Sequence, residues 1–278
     1  MKGSNVAESL PSLGEFLNYG FMQRALAVGV LLSIFSGLIS VFIVLRRVSF
    51  LGSGISHAAF GGIALGFLLG VHPLVMAFIY SVLVALGIEQ VSARGRLAED
   101  TAIGIFFSSS MALGVVLLGL SRSYNVDLFG YLFGSILAIS EEEAKAAMAV
   151  LLFLTGLVFF IRRELFLITF NEELAIVSGV PIRWIKTVFL LSMAIGIVWG
   201  IKMVGVILIS ALLVIPGATA QLLAKRFSRM VLISCLISLI STLAGLVLSY
   251  HLNLAPGGTI VLFMALVFLL SFLRGRKF

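Results

Sequence analysis

Residues 184–222 read WIKTVFLLSMAIGIVWGIKMVGVILISALLVIPGATAQL, 39 residues in which Lys186 and Lys202 are the only charged side chains. As one straight helix this run would be roughly 58 Å long at 1.5 Å per residue, nearly twice the ~30 Å hydrocarbon core of a bilayer. Gly200, Lys202 and Gly205 break its apolar pattern near the middle, which predicts a turn there and two short membrane crossings instead of one. Outward from it, further apolar runs lie at 21–45, 55–71, 73–90, 101–120, 144–161, 230–250 and 257–273. The pattern predicts an all-α polytopic membrane protein of about eight to nine transmembrane helices, nine if 184–222 turns back on itself.

Composition agrees. Of the 278 residues 61% are apolar and 11% charged, and mean hydropathy is +1.21, where a soluble domain carries about 25% charged residues. No polar domain interrupts the runs, so residues 1–278 read as a single membrane domain. No G-x-x-x-x-G-K-[ST] phosphate loop is present, so any ATP hydrolysis must come from a partner. The one cysteine, Cys235, allows no internal disulfide, and residues 1–20 lack the continuous apolar core of a removable signal peptide.

The net charge is +7, and its placement says more than its size. With nine crossings and the C-terminus inside, the cytoplasmic segments hold Arg46, Arg47, Arg94, Arg96, Arg162, Arg163, Arg183, Lys186, Lys225, Arg226, Arg229, Arg274, Arg276 and Lys277. Only Lys2, Arg24, Arg122, Lys145 and Lys202 fall outside. That asymmetry is the positive-inside signature, and counting 184–222 as one crossing would destroy it. The charge does not imply nucleic-acid binding. Residues 126–139 are apolar but short, and read equally as a helix on the outer surface or as an amphipathic loop.

Ionisable groups within a bilayer are costly and mark function. The spans hold almost no carboxylates; Glu89, near a cytoplasmic end, comes closest, so an ion-coupled carrier relay is absent and energy enters from outside the membrane domain. His57 is the one titratable group in the body of an apolar segment. It lies four residues after Ser53, on the same helix face, among Gly52, Gly54, Ala58, Gly61 and Gly62. Imidazole suits borderline metals such as zinc, with a hydroxyl as a weak second contact. A histidine bonded to a neighbouring helix is an equally simple reading. A Ser–His pair also evokes an intramembrane serine hydrolase, but no orienting acid accompanies it. His72 and His251 sit at outer span ends, as solvated interfacial histidines or as contacts for arriving substrate. The nine methionines are scattered as packing residues.

The most distinctive polar stretch is 162–181, RRELFLITFNEELAIVSGVP. Asn171 caps a helix opening with Glu172 and Glu173, and Gly179 with Pro181 stops it after about two turns. Its apolar Leu174, Ile176 and Val177 would be satisfied by docking into a groove on another protein, or by resting on the bilayer surface.

These residues together resemble a known family, the membrane subunits of ATP-binding-cassette importers for zinc, manganese and iron. Val44-Leu45-Arg46-Arg47 followed by Gly52–Ala58 is similar to the family's R-R-x-S-x-x-G-D-x-[IL]-S-H-A signature. Leu132–Leu137 resembles L-F-G-x-[IL]-L, Phe170–Val180 resembles the coupling helix F-D-x-E-x-A-x-x-x-G-[VI], and Val204–Ala220 resembles V-G-x-x-L-[VI]-x-[AS]-L-L-[VI]-x-P-[AG]-A-[ST]-A. The likeness runs from about residue 20 to residue 273. It implies a type II ABC importer-like permease in the plasma membrane (the bacterial inner membrane). Its implied partners are a second copy of itself in a homodimer, a cytoplasmic ABC ATPase dimer and an extracellular or periplasmic metal-binding receptor. No cofactor is bound by this chain, a divalent metal ion being the cargo. The resemblance assigns a metal pathway to His57, Ser53 and His251, and ATPase coupling within 171–180 to Asn171, Glu172, Glu173, Leu174, Ala175 and Gly179. Gating or packing roles fall to Gly52, Gly61, Gly205, Pro216 and Gly217. Ser53 and Asn253 stand where family members often carry Asp, and both differences remove a hard anionic ligand and favour a softer or looser contact. The rival cargo is a metal chelate of the siderophore or cobalamin kind.

Overall fold

The computed structural model describes residues 19–93, 97–120, 134, 139–252 and 254–275. The expectations for 126–139, for the L-F-G element apart from Gly134, and for Asn253 lie outside them. Eleven helices are seen among the described residues: α1 Gly20–Leu45, α2 Phe50–Leu69, α3 Pro73–Ala93, α4 Glu99–Leu120, α5 Glu141–Phe160, α6 Arg162–Phe170, α7 Glu172–Val177, α8 Ile182–Leu212, α9 Ile215–Leu223, α10 Phe227–Leu252 and α11 Pro256–Gly275. Eight segments are long and apolar enough to cross a membrane, with Ile182–Leu223 counted as one.

That segment reverses. Gly205 has φ 80° and ψ 167°, outside any helical region and accessible in practice only to glycine. A Cβ placed on Gly200 would lie 3.6 Å from the Cβ of Ile209, two positions that a straight helix would hold about 13.5 Å apart. Both ends of the segment reach the same level. Phe42, at the end of α1, meets Phe189 at 6.0 Å and Phe227 at 5.6 Å between ring centroids. At the other extreme, Lys202 donates to Glu143 in the first turn of α5 at 2.6 Å, and Arg24 donates to the Ile139 carbonyl at 3.0 Å. The run 182–223 therefore climbs from the level of Phe42 to the level of Lys202 and returns, as the expected pair of short crossings. Its descending limb is itself broken at Leu213–Val214, before Pro216 near the start of α9.

Two helix starts move relative to expectation, and at α5 capping decides the place. The segment expected from residue 144 begins at Glu141, because Ser140 and Glu143 form a reciprocal capping box, with N–H to oxygen distances of 3.3 and 3.1 Å. The segment expected from 55 begins at Phe50, so Gly52 and Ser53 already belong to α2.

The helices pack in two groups bridged by α8. In the first, α2 lies against α3 and α4 at backbone distance: a Cβ on Gly61 would come 2.8 Å from the Ser110 carbonyl, and one on Gly62 2.7 Å from Ala77 Cα. The second group is α1, α9, α10 and α11, with α5 on the outside of α1. Small polar residues seam α1 to α10. Ser33 and Thr242 hydroxyls are 2.8 Å apart, Ser234 donates to the Gly37 carbonyl at 2.7 Å, and a Cβ on Gly37 would sit 2.8 Å from Cys235 Cα.

The described basic residues Arg46, Arg47, Arg162, Arg163, Arg183, Lys186, Lys225, Arg226, Arg229 and Arg274 all fall at the Phe42 end. This end is called the basic face below. Arg46, only 10% exposed, is held there by both oxygens of Glu99 at 3.1 and 3.2 Å.

Candidate functional site

His57 and Ser53 share one face of α2, as their spacing predicts, and face α4 across a recess of about 390 Å³ lined also by Phe50, Asp100, Ile103, Gly104, Phe107 and Ser108. The close approach beneath it is set by glycine, since a Cβ on Gly54 would be 2.8 Å from Ile103 Cγ2. The imidazole packs edge-on against Phe107, with ring centroids 4.7 Å apart and planes at 67°.

The hydrogen bond of His57 decides what the ring can do. Nδ1 lies 2.8 Å from the backbone carbonyl oxygen of Ser53. A carbonyl only accepts, so in the neutral ring Nδ1 carries the proton and the Nε2 lone pair is left free, the arrangement common in metal-binding histidines. The imidazole engages the Ser53 backbone and forms no hydrogen bond with the Ser53 hydroxyl, which does not favour the hydrolase reading. Among the described residues no three His, Cys, Asp or Glu side chains come together to hold a metal ion. His57 therefore offers a single nitrogen donor and no closed chelate within one chain. Asp100, which sequence reading passed over because it lies at a span end, lines the same recess.

His251 is not brought to His57. It sits at the far end of α10, which packs on α1, α9 and α11, and its Nδ1 is buried without a hydrogen-bond partner. His72 borders a separate cleft of about 350 Å³ with Trp199 and Lys202, at the opposite end from the basic face.

The stretch 171–180 forms as its caps dictate. Asn171 Oδ1 accepts from the Leu174 N–H at 3.0 Å. Gly179, at φ 74°, closes the helix: Val180 N–H donates to the Ala175 carbonyl at 3.0 Å and Gly179 N–H to the Ile176 carbonyl at 2.9 Å, a Schellman pattern. Ala175 is fully buried against the body of the protein, whereas Leu174, Ile176 and Val177 are exposed, Val177 at 86%. The apolar side presented outward is thus that of Leu174, Ile176 and Val177, and Ala175 is the inward anchor. Glu173 is exposed, while Glu172 accepts from Lys186 on α8 with both oxygens at 2.9 Å. Beside this pair Glu89 faces the Thr187 hydroxyl at 2.7 and 2.8 Å, so the carboxylate singled out from sequence ties α3 to the foot of α8.

The expected gating residues connect the two regions. Leu213, in the break before α9, presses on Gly52 of α2, where a Cβ would meet its Cδ1 at 3.0 Å. Pro216 and Gly217 are buried in the first turn of α9, and the Gly217 N–H donates to Ser40 Oγ at 2.8 Å. Gly61 and Gly205 act as described above, by close helix contact and by reversal of the chain.

Known proteins share this sequence and shape. The manganese transport system membrane protein MntC of Halalkalibacterium halodurans is 35% identical over 95% of this chain and 90% of its own length. The manganese import system permease protein ScaB of Streptococcus parasanguinis is 35% identical over 98% and 96%. Among solved structures, PsaBC from Streptococcus pneumoniae in complex with Fab matches with a TM-score of 0.80 at 35% identity, covering 93% of this chain and 95% of that one. Residues 18–275 match the description of the ABC 3 transport family, and with relatives this similar over nearly its whole length the chain belongs to that family.

Proposed function

We propose that this chain is the membrane permease of a divalent-metal importer, with manganese the first candidate for its cargo. The observation that carries the reading is the freed Nε2 of His57 in a recess between membrane helices. One nitrogen and a nearby hydroxyl hold an ion loosely, and a pathway needs ions that leave as readily as they arrive. Relatives named for manganese transport support that cargo, while the nitrogen donor suits zinc as well. The chelate and hydrolase alternatives are not favoured. The relatives MntC and ScaB are named for manganese and not for a chelate, and no hydrogen bond joins the His57 ring to the Ser53 hydroxyl.

In this reading the basic face is cytoplasmic, with the C-terminus inside, as positive-inside placement supports. Two copies pair around the pathway, a receptor delivers the ion on the opposite face, and a separate ATPase dimer docks on Leu174, Ile176 and Val177. Movement of α7 passes through Glu172–Lys186 to α8. The break at Leu213, resting on Gly52, hands it to the helix that carries His57.

The test is uptake of radioactive manganese by cells depending on this importer, with zinc as competitor. His57→Ala is expected to lower uptake at least about tenfold, the loss seen when even a supporting metal contact is removed, with unchanged ATPase binding. Wild-type uptake by His57→Ala would remove the pathway assignment, and uptake of zinc in preference to manganese would replace the cargo.

A further inference from the structure

The recess at His57 is a groove whose two ends differ in chemistry. One wall is a face of α2 carrying Ser53 and His57, and the other a face of α4 carrying Asp100, Gly104, Phe107 and Ser108. The imidazole meets Phe107, seven residues beyond Asp100, so the carboxylate lies about 10 Å closer to the basic face at 1.5 Å per residue. The Ser53 hydroxyl lies in the interval, Ser108 lines the groove at the level of the imidazole, and over Gly104 the space is open, an added Cβ meeting nothing within 4 Å. The neighbouring Glu99 is engaged by Arg46. Asp100 is exposed and forms no ion pair among the described residues, leaving its charge available to the groove.

We propose that Asp100 is the release site of the pathway, the carboxylate at the inner mouth of the groove to which the cation passes after leaving His57. The proposal rests on the reading of His57 as a pathway ligand and of the basic face as cytoplasmic. The chemistry runs in one direction. A neutral nitrogen inside the membrane holds a dication weakly, and a full negative charge at the inner mouth draws it toward that mouth past the Ser53 hydroxyl. Being exposed, that carboxylate gives the ion up to water. A hard ion such as manganese also prefers oxygen donors. The carboxylate absent at Ser53 is in effect supplied about one turn nearer the mouth, from the other wall.

The experiment uses the complete importer, permease with its ATPase and receptor, in proteoliposomes, recording radioactive manganese uptake and ATP hydrolysis together. Asp100→Asn is expected to lower the ions moved per ATP about tenfold, the low end of what charge focusing at a cleft mouth contributes, while receptor-stimulated hydrolysis stays at the wild-type rate. Asp100→Glu is expected to restore transport. If Asp100→Asn moves as many ions per ATP as wild type while His57→Ala moves none, the release role is overturned and the His57 reading stands. If Asp100→Asn and Asp100→Glu both lose stimulated hydrolysis, Asp100 serves the start of α4 and the release role is likewise overturned. A wild-type rate in His57→Ala overturns the pathway reading on which the proposal rests.

Discussion

Replacing Gly62 by alanine tests the close contact that positions the site. The new methyl carbon would lie 2.7 Å from Ala77 Cα, 2.8 Å from the Met76 carbonyl oxygen and 2.9 Å from Tyr80 Cβ. Carbon atoms settle about 3.5–4.0 Å apart, so α3 must retreat by close to 1 Å, and two of the opposing atoms are backbone that no rotamer change can move. Overpacking of this kind costs about 1–3 kcal/mol. Alanine also gains roughly 1 kcal/mol of helix propensity over glycine, which blurs the comparison with wild type. Gly156→Ala on α5 supplies the reference, since a Cβ there meets nothing within 4 Å. It collects the same propensity gain without the clash, and the difference between the two variants isolates the packing term. Thermal unfolding of both, purified in the same detergent and followed by the fluorescence of Trp184 and Trp199, is expected to put Gly62→Ala about 5 °C below Gly156→Ala. Coincident melting curves would show that α2 and α3 are not in backbone contact at this point, and the account of how His57 is held would fail.

Gly205→Ala forces a side chain into φ 80°, ψ 167°, a strain of about 1–3 kcal/mol at the reversal itself; the expected result is a lowered yield of folded protein and a lower melting temperature, and an unchanged melting temperature would contradict the reversal. Val177→Asp places a charge on the most exposed apolar residue of α7, so the melting temperature should hold while co-purification of the ATPase is lost; retained co-purification would move the docking surface elsewhere.

The reversal inside 184–222 was legible because glycine and lysine interrupt an apolar run too long for one crossing. The caps of α7 were legible because Asn171 and Gly179 act locally, within a few residues of the backbone groups they satisfy. What sequence could not supply was pairing across helices. Asp100 looks like an ordinary acidic residue in a first helical turn, and only the packing of Gly54 on Ile103 brings its helix against the His57 face. The apolar side expected to dock, Leu174, Ile176 and Val177, is the exposed one, while the burial of Ala175 comes from packing against other helices, which a six-residue helix has too little periodicity to reveal. The start of α5 was placed late for a different reason: Glu141–Glu143 read as loop by hydropathy, while the reciprocal bonds of Ser140 and Glu143 draw them into the helix.

The hairpin made by the two limbs of 182–223 also sets where, in the proposed mechanism, movement would enter and leave. Its ascending limb starts beside Lys186 and Glu172, and its descending limb bears on Gly52 through Leu213 on the way back to the same side. Input and output are thus stacked on one half of the protein, like the two arms of a folded spring with its bend at Gly205. In the proposed mechanism, stiffening or loosening that bend would alter how much of a movement entering at Lys186 and Glu172 arrives at Gly52, without altering the residues at either end.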